Sequence, residues 1–177
     1  DGSGDGDDGA GDYEGGCEPG YEFVPSFFNL ALDGNASASE DCCGQSPDRA
    51  IDGSTSSSWS SGAFPLSVTF DLDLGQLQTL SQVKVLTNNS FYLESFTLKL
   101  SKNLVSWVDL GMHTISDYSS FYEINTPGNY RYIRLENMLT DDSFMEINEL
   151  EVIGGGMCVA SADAGTNGGY GDTYDSG

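Results

Sequence analysis

The sequence predicts an all-β domain, an antiparallel sandwich or barrel, flanked by two glycine-rich acidic tails. Three observations predict it: apolar residues recur with a period of two, turn residues separate the apolar runs, and no 11-residue window carries an i, i+3, i+4, i+7 stripe. Leu66, Val68, Phe70, Leu72 and Leu74 alternate with Ser67, Thr69, Asp71 and Asp73, the pattern of a strand with one face buried. Further strands follow at 82–87, 95–101, 107–110, 130–136 and 148–153, rich in Val, Ile, Leu, Phe and Tyr. Pro127-Gly128-Asn129 reads as one of the turns between them. Short strands with no helices between them pack as a sandwich or close as a barrel.

Composition divides the 177 residues into three parts. Residues 1–24 hold eight glycines and eight acidic residues, and 154–177 hold eight more glycines and three aspartates, with no Lys or Arg in either. Segment 25–153 carries all six Lys and Arg and only seven of the 23 glycines, and its length suits one domain. Tails of this kind bury too little apolar surface to offset the entropy of ordering them. A bound cation, a disulfide, attached glycans or a neighbouring subunit would hold them; the neighbouring subunit is favoured, so copies of this chain are the expected partner.

The formal net charge of −22 excludes nucleic acid as a partner, because a polyanion has no counterions to release from another polyanion. Anionic membrane surfaces are excluded for the same reason. No run approaches 18 apolar residues, so no membrane insertion is expected. The chain starts at Asp1 with neither methionine nor a signal segment, which reads as a mature or excised product.

Cys17, Cys42, Cys43 and Cys158, with the sequons Asn35-Ala36-Ser37 and Asn88-Asn89-Ser90, point to an oxidising secretory route and an extracellular location. Asn35 and Asn88 are the expected glycosylation sites. Four cysteines allow three pairings, and none is in the C-x-x-C spacing of a zinc site. Nucleophilic catalysis lacks its parts: there is one histidine, His113, and no Gly-x-Ser-x-Gly elbow. The chain is read as non-catalytic.

In the N-terminal tail, Asp1, Ser3, Asp5, Gly6 and Asp12 fall at positions 1, 3, 5, 6 and 12 of an EF-hand-type loop. No amphipathic helix flanks it, so a helix-free acidic Ca²⁺ loop is the form it would take.

A longer series of motifs carries a family resemblance. Asn29-Leu30-Ala31 is followed by Ala50-Ile51-Asp52-Gly53, Trp59, Leu72-Asp73-Leu74-Gly75 and Val83-Lys84-Val85. Then come Ser101 with Trp107, Arg131-Tyr132-Ile133-Arg134-Leu135 and Glu149-Leu150-Glu151-Val152. In this order they resemble the discoidin family, also called the coagulation factor five/eight type C domain, which includes fucose-binding lectins and carbohydrate-binding modules. The resemblance covers roughly residues 29–153. It implies a jelly-roll sandwich of about eight strands with a binding surface made by loops at one end.

The resemblance also implies a disulfide from Cys17 to Cys158, worth up to about 4–5 kcal/mol by loop entropy. Cys42 and Cys43 would then pair with each other or cross-link elsewhere; pairing of each with one of the end cysteines also stays open. It further implies a structural Ca²⁺ held by the Asp52 carboxylate, the Arg49 and Ser54 carbonyls, a hydroxyl from Ser60 or Ser61, and Glu149.

The family's sugar-binding residues do not carry over. The position after Trp59, where relatives place a histidine, is Ser60, and His113 lies farther on in what reads as a loop. Arg131 and Arg134 match the family's structural strand. Trp59, Phe91, Tyr92, His113, Tyr118 and Phe144 are the candidate ligand-binding residues, with Phe121 and Tyr122 as further loop aromatics.

Two functions follow. The first is a structural or adhesive subunit of an extracellular filament or matrix, with tail-mediated contacts between copies. The second is a calcium-dependent carbohydrate-binding module of a larger secreted protein.

Overall fold

The computed structural model describes residues 21–62, 67–87, 89–141 and 143–160. Eight strands run as β1 (Tyr21–Asn29), β2 (Asn35–Ala38), β3 (Trp59–Ser60), β4 (Phe70–Thr87), β5 (Ser95–Ser101), β6 (Trp107–Thr114), β7 (Tyr122–Leu139) and β8 (Glu146–Ala160). Two 3₁₀ turns, Leu30–Asp33 and Pro47–Ala50, are the helical elements among the described residues. No helix among them is long and apolar enough to cross a membrane.

The strand order is β1-β8-β4-β7-β5-β6, with β2 on β4 and β3 on β8. β4 and β7 pair antiparallel along most of their 18 residues each, and both bend. The first half of β4, Phe70 to Asp73, lies between β2 and β7; its second half, Leu80 to Thr87, lies between β8 and β7. One continuous pair of strands therefore serves both layers of a sandwich. The bend falls where the register shifts between Asp73 and Gln78, and Gly75, at φ +78°, supplies the left-handed backbone there. The observed fold is the antiparallel β-sandwich expected from the alternation.

The apolar faces of the two layers meet. Phe70, Leu72, Leu98, Leu100, Ile133 and Leu135 on one side face Val83, Val85, Ile147, Leu150 and Val152 on the other, all essentially inaccessible. This core belongs wholly to the unit Pro25–Gly156. Residues 21–24 and 157–160, the described part of a second unit, have extended backbone.

Several boundaries differ from the sequence expectation: the runs expected at 66–74 and 82–87 join in β4, and those at 130–136 and 148–153 extend to β7 and β8. Pro127-Gly128-Asn129 is inside β7 rather than a turn between strands. Gly128 and Asn129 pair with Leu80 and Thr79, and the register shift that follows leaves Pro127 at a bulge, where a residue lacking an N–H is tolerated. The run at 66–74 becomes a strand only at Phe70, because Ser67 takes a positive φ of 58°. The strand expected at 107–110 continues to Thr114 by pairing with β5 as far as Ser95.

Candidate functional site

The Pro47–Ala50 turn delivers Ile51 to the core and Asp52 to the surface, and Gly53 reverses the chain at φ +79°. Asp52 Oδ1 accepts from the Ser54 amide at 2.9 Å, and Ser57 Oγ donates to both carboxylate oxygens at 2.9 and 2.7 Å. From β8, Glu149 reaches beneath this corner: its Oε1 accepts from the Gly53 amide at 3.2 Å. The Glu149 side chain is buried, and Oε2 finds no hydrogen-bond partner among the described residues. Burial, reinforced by the charges of Asp52 and Glu151, pushes the Glu149 carboxyl up to about 7 against the weaker pull of the Gly53 and Ser54 amides.

This donor chemistry fits a hard cation such as Ca²⁺. A buried carboxylate oxygen with no partner beside a second carboxylate is where a cation would relieve the desolvation cost. Among the described residues no cluster of three acidic, His or Cys side chains forms, so carbonyls and hydroxyls would have to complete the shell. Of the residues expected there, the structure brings together Asp52, Ser54 and Glu149, with Arg49 in the preceding turn. Ser61 Oγ is engaged elsewhere, donating to Gly62 O and accepting from Met145 N, both at 3.0 Å. Ser57, which no motif marked, holds the Asp52 carboxylate instead.

At one end of the sandwich the 42–46 loop, β3, the 89–93 loop and the start of β8 converge. Ser60 pairs with Glu146, the Glu146 amide donates to Phe91 O at 2.8 Å, and the Cys42 amide donates to Ser60 O at 3.0 Å. They enclose a cavity of about 170 Å³ lined by Cys43, Gln45, Ser60, Phe91, Phe144 and Glu146. The Phe91 and Phe144 rings meet edge to face at 5.9 Å. The polar side is a network in which Gln45 Nε2 donates to Ser58 Oγ (2.7 Å) and Glu146 Oε1 (3.4 Å), and Ser58 Oγ donates to Glu146 Oε2 (3.2 Å). Cys42 and Cys43 are disulfide-bonded to each other, which settles their pairing. Cys158 is on β8 with its side chain outside the described set, and Cys17, Asn88 and the acidic loop of Asp1, Ser3, Asp5 and Asp12 lie outside the described residues.

The five candidate ligand-binding aromatics and His113 separate into distinct groups. Phe91 and Phe144 line the cavity, whereas Tyr92 and Tyr118 stack at 4.4 Å beside a neighbouring depression that includes Thr55, Asn89 and Asn148. Trp59 is fully buried, its ring 5.2 Å from Phe70 and its Nε1–H donating to Glu40 O at 3.1 Å, so it supports the pocket and cannot touch a ligand. His113 is not in a loop: it lies on β6 between Phe96 and Tyr122, and burial holds its imidazole below the usual histidine range. Arg131 and Arg134 form two-pronged pairs with Asp73 and Asp71 on the outer sheet face. Sequence reasoning missed Gln45, Ser58 and Glu146, three separated polar residues that only the fold assembles.

Residues 34–150 match the F5/8 type C domain. The chain belongs to that family. Among solved structures, this F5/8 type C domain is similar to a Val-to-Met mutant of chitosan-binding module 1 derived from a chitosanase/glucanase from Paenibacillus sp. IK-5. The two are 26% identical with a TM-score of 0.64, over 72% of this chain and 99% of that one. It shares its fold with the family 32 carbohydrate-binding module of C. perfringens NanJ, solved with galactose (18% identity, TM-score 0.63, 73% and 99% coverage). A Streptococcus pneumoniae fucose-binding module has the same fold (21% identity, TM-score 0.61, 72% and 95% coverage). No curated protein matches the chain.

Proposed function

We propose that this F5/8 type C domain is a non-catalytic carbohydrate-binding module of a secreted or cell-surface protein. The Phe91–Phe144 cavity holds the sugar, and a Ca²⁺ between Asp52 and Glu149 stiffens the adjacent corner. The observation that carries it is the pairing of two loop aromatics with the Gln45–Ser58–Glu146 network in one concave site. A sugar ring has one apolar face and a girdle of hydroxyls, and these two halves of the cavity match that division. Chitosan-binding, galactose-bound and fucose-binding modules among the similar structures support the ligand class. The charge of −22 favours neutral or cationic sugars over polyanionic glycans.

The test is calorimetric titration with chitotriose, galactose and fucose, comparing the chain with Phe144→Ala. Binding of at least one sugar, weakened about tenfold or more by the substitution, supports the reading. No binding, or binding indifferent to Phe144, overturns it.

A second reading keeps the chain as a structural subunit of a filament or matrix. It is favoured by exposed apolar residues on both lateral strands: Phe27 and Phe28 on β1, and Val108 and Met112 on β6. Unpaired edges with apolar side chains are templates for a second copy.

A further inference from the structure

Away from the loop end, the outer face of β2, β4 and β7 forms a groove of about 320 Å³ lined by Asn35, Ser37, Asp71, Asp73, Leu104, Tyr132 and Arg134 among others. Two rungs of the sheet build it. Asn35 pairs with Asp73 and Asp73 with Tyr132; Ser37 pairs with Asp71 and Asp71 with Arg134. Asp71, Asp73 and Arg134 line it, and each carboxylate is held in an ionic fork: Arg134 Nε to Asp71 Oδ1 at 2.6 Å, and Arg131, itself outside the lining, Nε to Asp73 Oδ1 at 2.7 Å, each closed by a second bond from Nη2. Arg131 lies over the Tyr132 ring, and Arg134 over Trp107. Leu104, half exposed and at φ +65°, adds an apolar lip.

The forks leave hydrogen-bonding capacity unspent, since a carboxylate accepts about four hydrogen bonds and a guanidinium donates five. Within each pair the charges cancel, so the face suits a neutral ligand rich in hydroxyls, with Tyr132 and Leu104 for its apolar side. The rim holds Asn35 and Ser37, both exposed and two residues apart, the acceptor and hydroxyl of the Asn35-Ala36-Ser37 sequon.

We propose that Asn35 is N-glycosylated and that its own innermost N-acetylglucosamine lies in this groove. The modification rests on the secretory reading above, but not on sugar binding at the Phe91–Phe144 cavity. The transfer forms a bond from Asn35 Nδ2 to the sugar C1 and breaks the bond from that C1 to a lipid pyrophosphate, which leaves with the amide proton. Tethering at the rim gives the sugar a high effective concentration over the groove, so weak contacts suffice to seat it.

The test uses the full chain carrying Asn88→Gln, secreted from a eukaryotic host, leaving Asn35 in the remaining sequon. Mass spectrometry should find Asn35 occupied. Trimming to a single N-acetylglucosamine should leave the melting temperature unchanged, whereas Asn35→Gln should lower it by about 2–4 °C. Tyr132→Ala should abolish the difference between the trimmed and glycan-free forms, and exposed Leu104→Ser should reduce it if Tyr132→Ala fails to fold. An unmodified Asn35, or trimmed and glycan-free forms that melt alike, overturns the proposal. So does an unmodified chain that takes free N-acetylglucosamine at Tyr132 with Asn35 unoccupied, which would make the groove a site for free sugar.

Discussion

Glu149 and Gly53, 96 residues apart, are joined by a 3.2 Å hydrogen bond that places a buried carboxylate under the corner where Gly53 takes a positive φ. The Gly53 amide satisfies one oxygen and the other has no partner among the described residues, so this contact both fixes the corner and leaves it electrostatically expensive.

That cost sets a pH dependence. The Glu149 carboxyl is raised from the ordinary value of 4.5 to about 7, so between those limits the folded chain holds a proton the unfolded chain has released. In chelator, its contribution to stability is full below pH 4.5 and lost as pH rises through 7, by on the order of 3 kcal/mol. His113, held low by burial, acts in the opposite direction, so the comparison is with Glu149→Gln. Urea midpoints across pH 4.5–8 should show a falling component that the variant lacks.

Calcium should reverse the sign of that burden. At a hundredfold excess over Kd it should add about 2.7 kcal/mol, read as a higher melting temperature that chelator removes. Asp52→Ala should abolish the shift. Affinity should decline below pH 7, because Glu149 must give up its proton to bind. A melting curve indifferent to chelator at pH 7.5 refutes the assignment.

Trp59 and Phe144 should fail in different ways. Trp59→Ala empties a fully buried site and should cost about 3–5 kcal/mol. Phe144→Ala removes a half-buried ring at the cavity and should weaken sugar binding with a melting temperature shifted by only a few degrees. Thermal scans run beside titrations separate the two.

The filament reading makes its own prediction. Deleting residues 1–16 while keeping Cys17 should shrink the particles seen by light scattering. If the truncated chain assembles as well as the intact one, the N-terminal tail is not the contact between copies.

Much of the fold was legible because one physical rule wrote it: a strand between core and solvent must alternate. Leu72 and Leu74 turn inward while Asp71 and Asp73 turn out, and the same period marks Ile133 and Leu135 against Arg134. The Ala50-Ile51-Asp52-Gly53 motif was legible as part of the family resemblance, and the structure makes it a corner with Gly53 at positive φ. Pro127-Gly128-Asn129 misled, because turn residues also serve a bulge inside a long bent strand, and only pairing with β4 distinguishes the two cases.

The sequence by itself determined the strand periodicity, the acidic charge and the corner motif, all properties of neighbouring residues or of the chain's totals. Tertiary structure alone decided what met what. It buried Trp59 against Phe70, carried His113 from an expected loop to a strand, and closed Gln45, Ser58 and Glu146 into one network. It also placed Asn35 on the rim of a groove lined by Asp71, Asp73 and Arg134. The physical reason is that local pattern constrains which way a side chain faces. Contacts between residues distant in sequence are chosen by strand register and packing, to which every strand of the sandwich contributes at once.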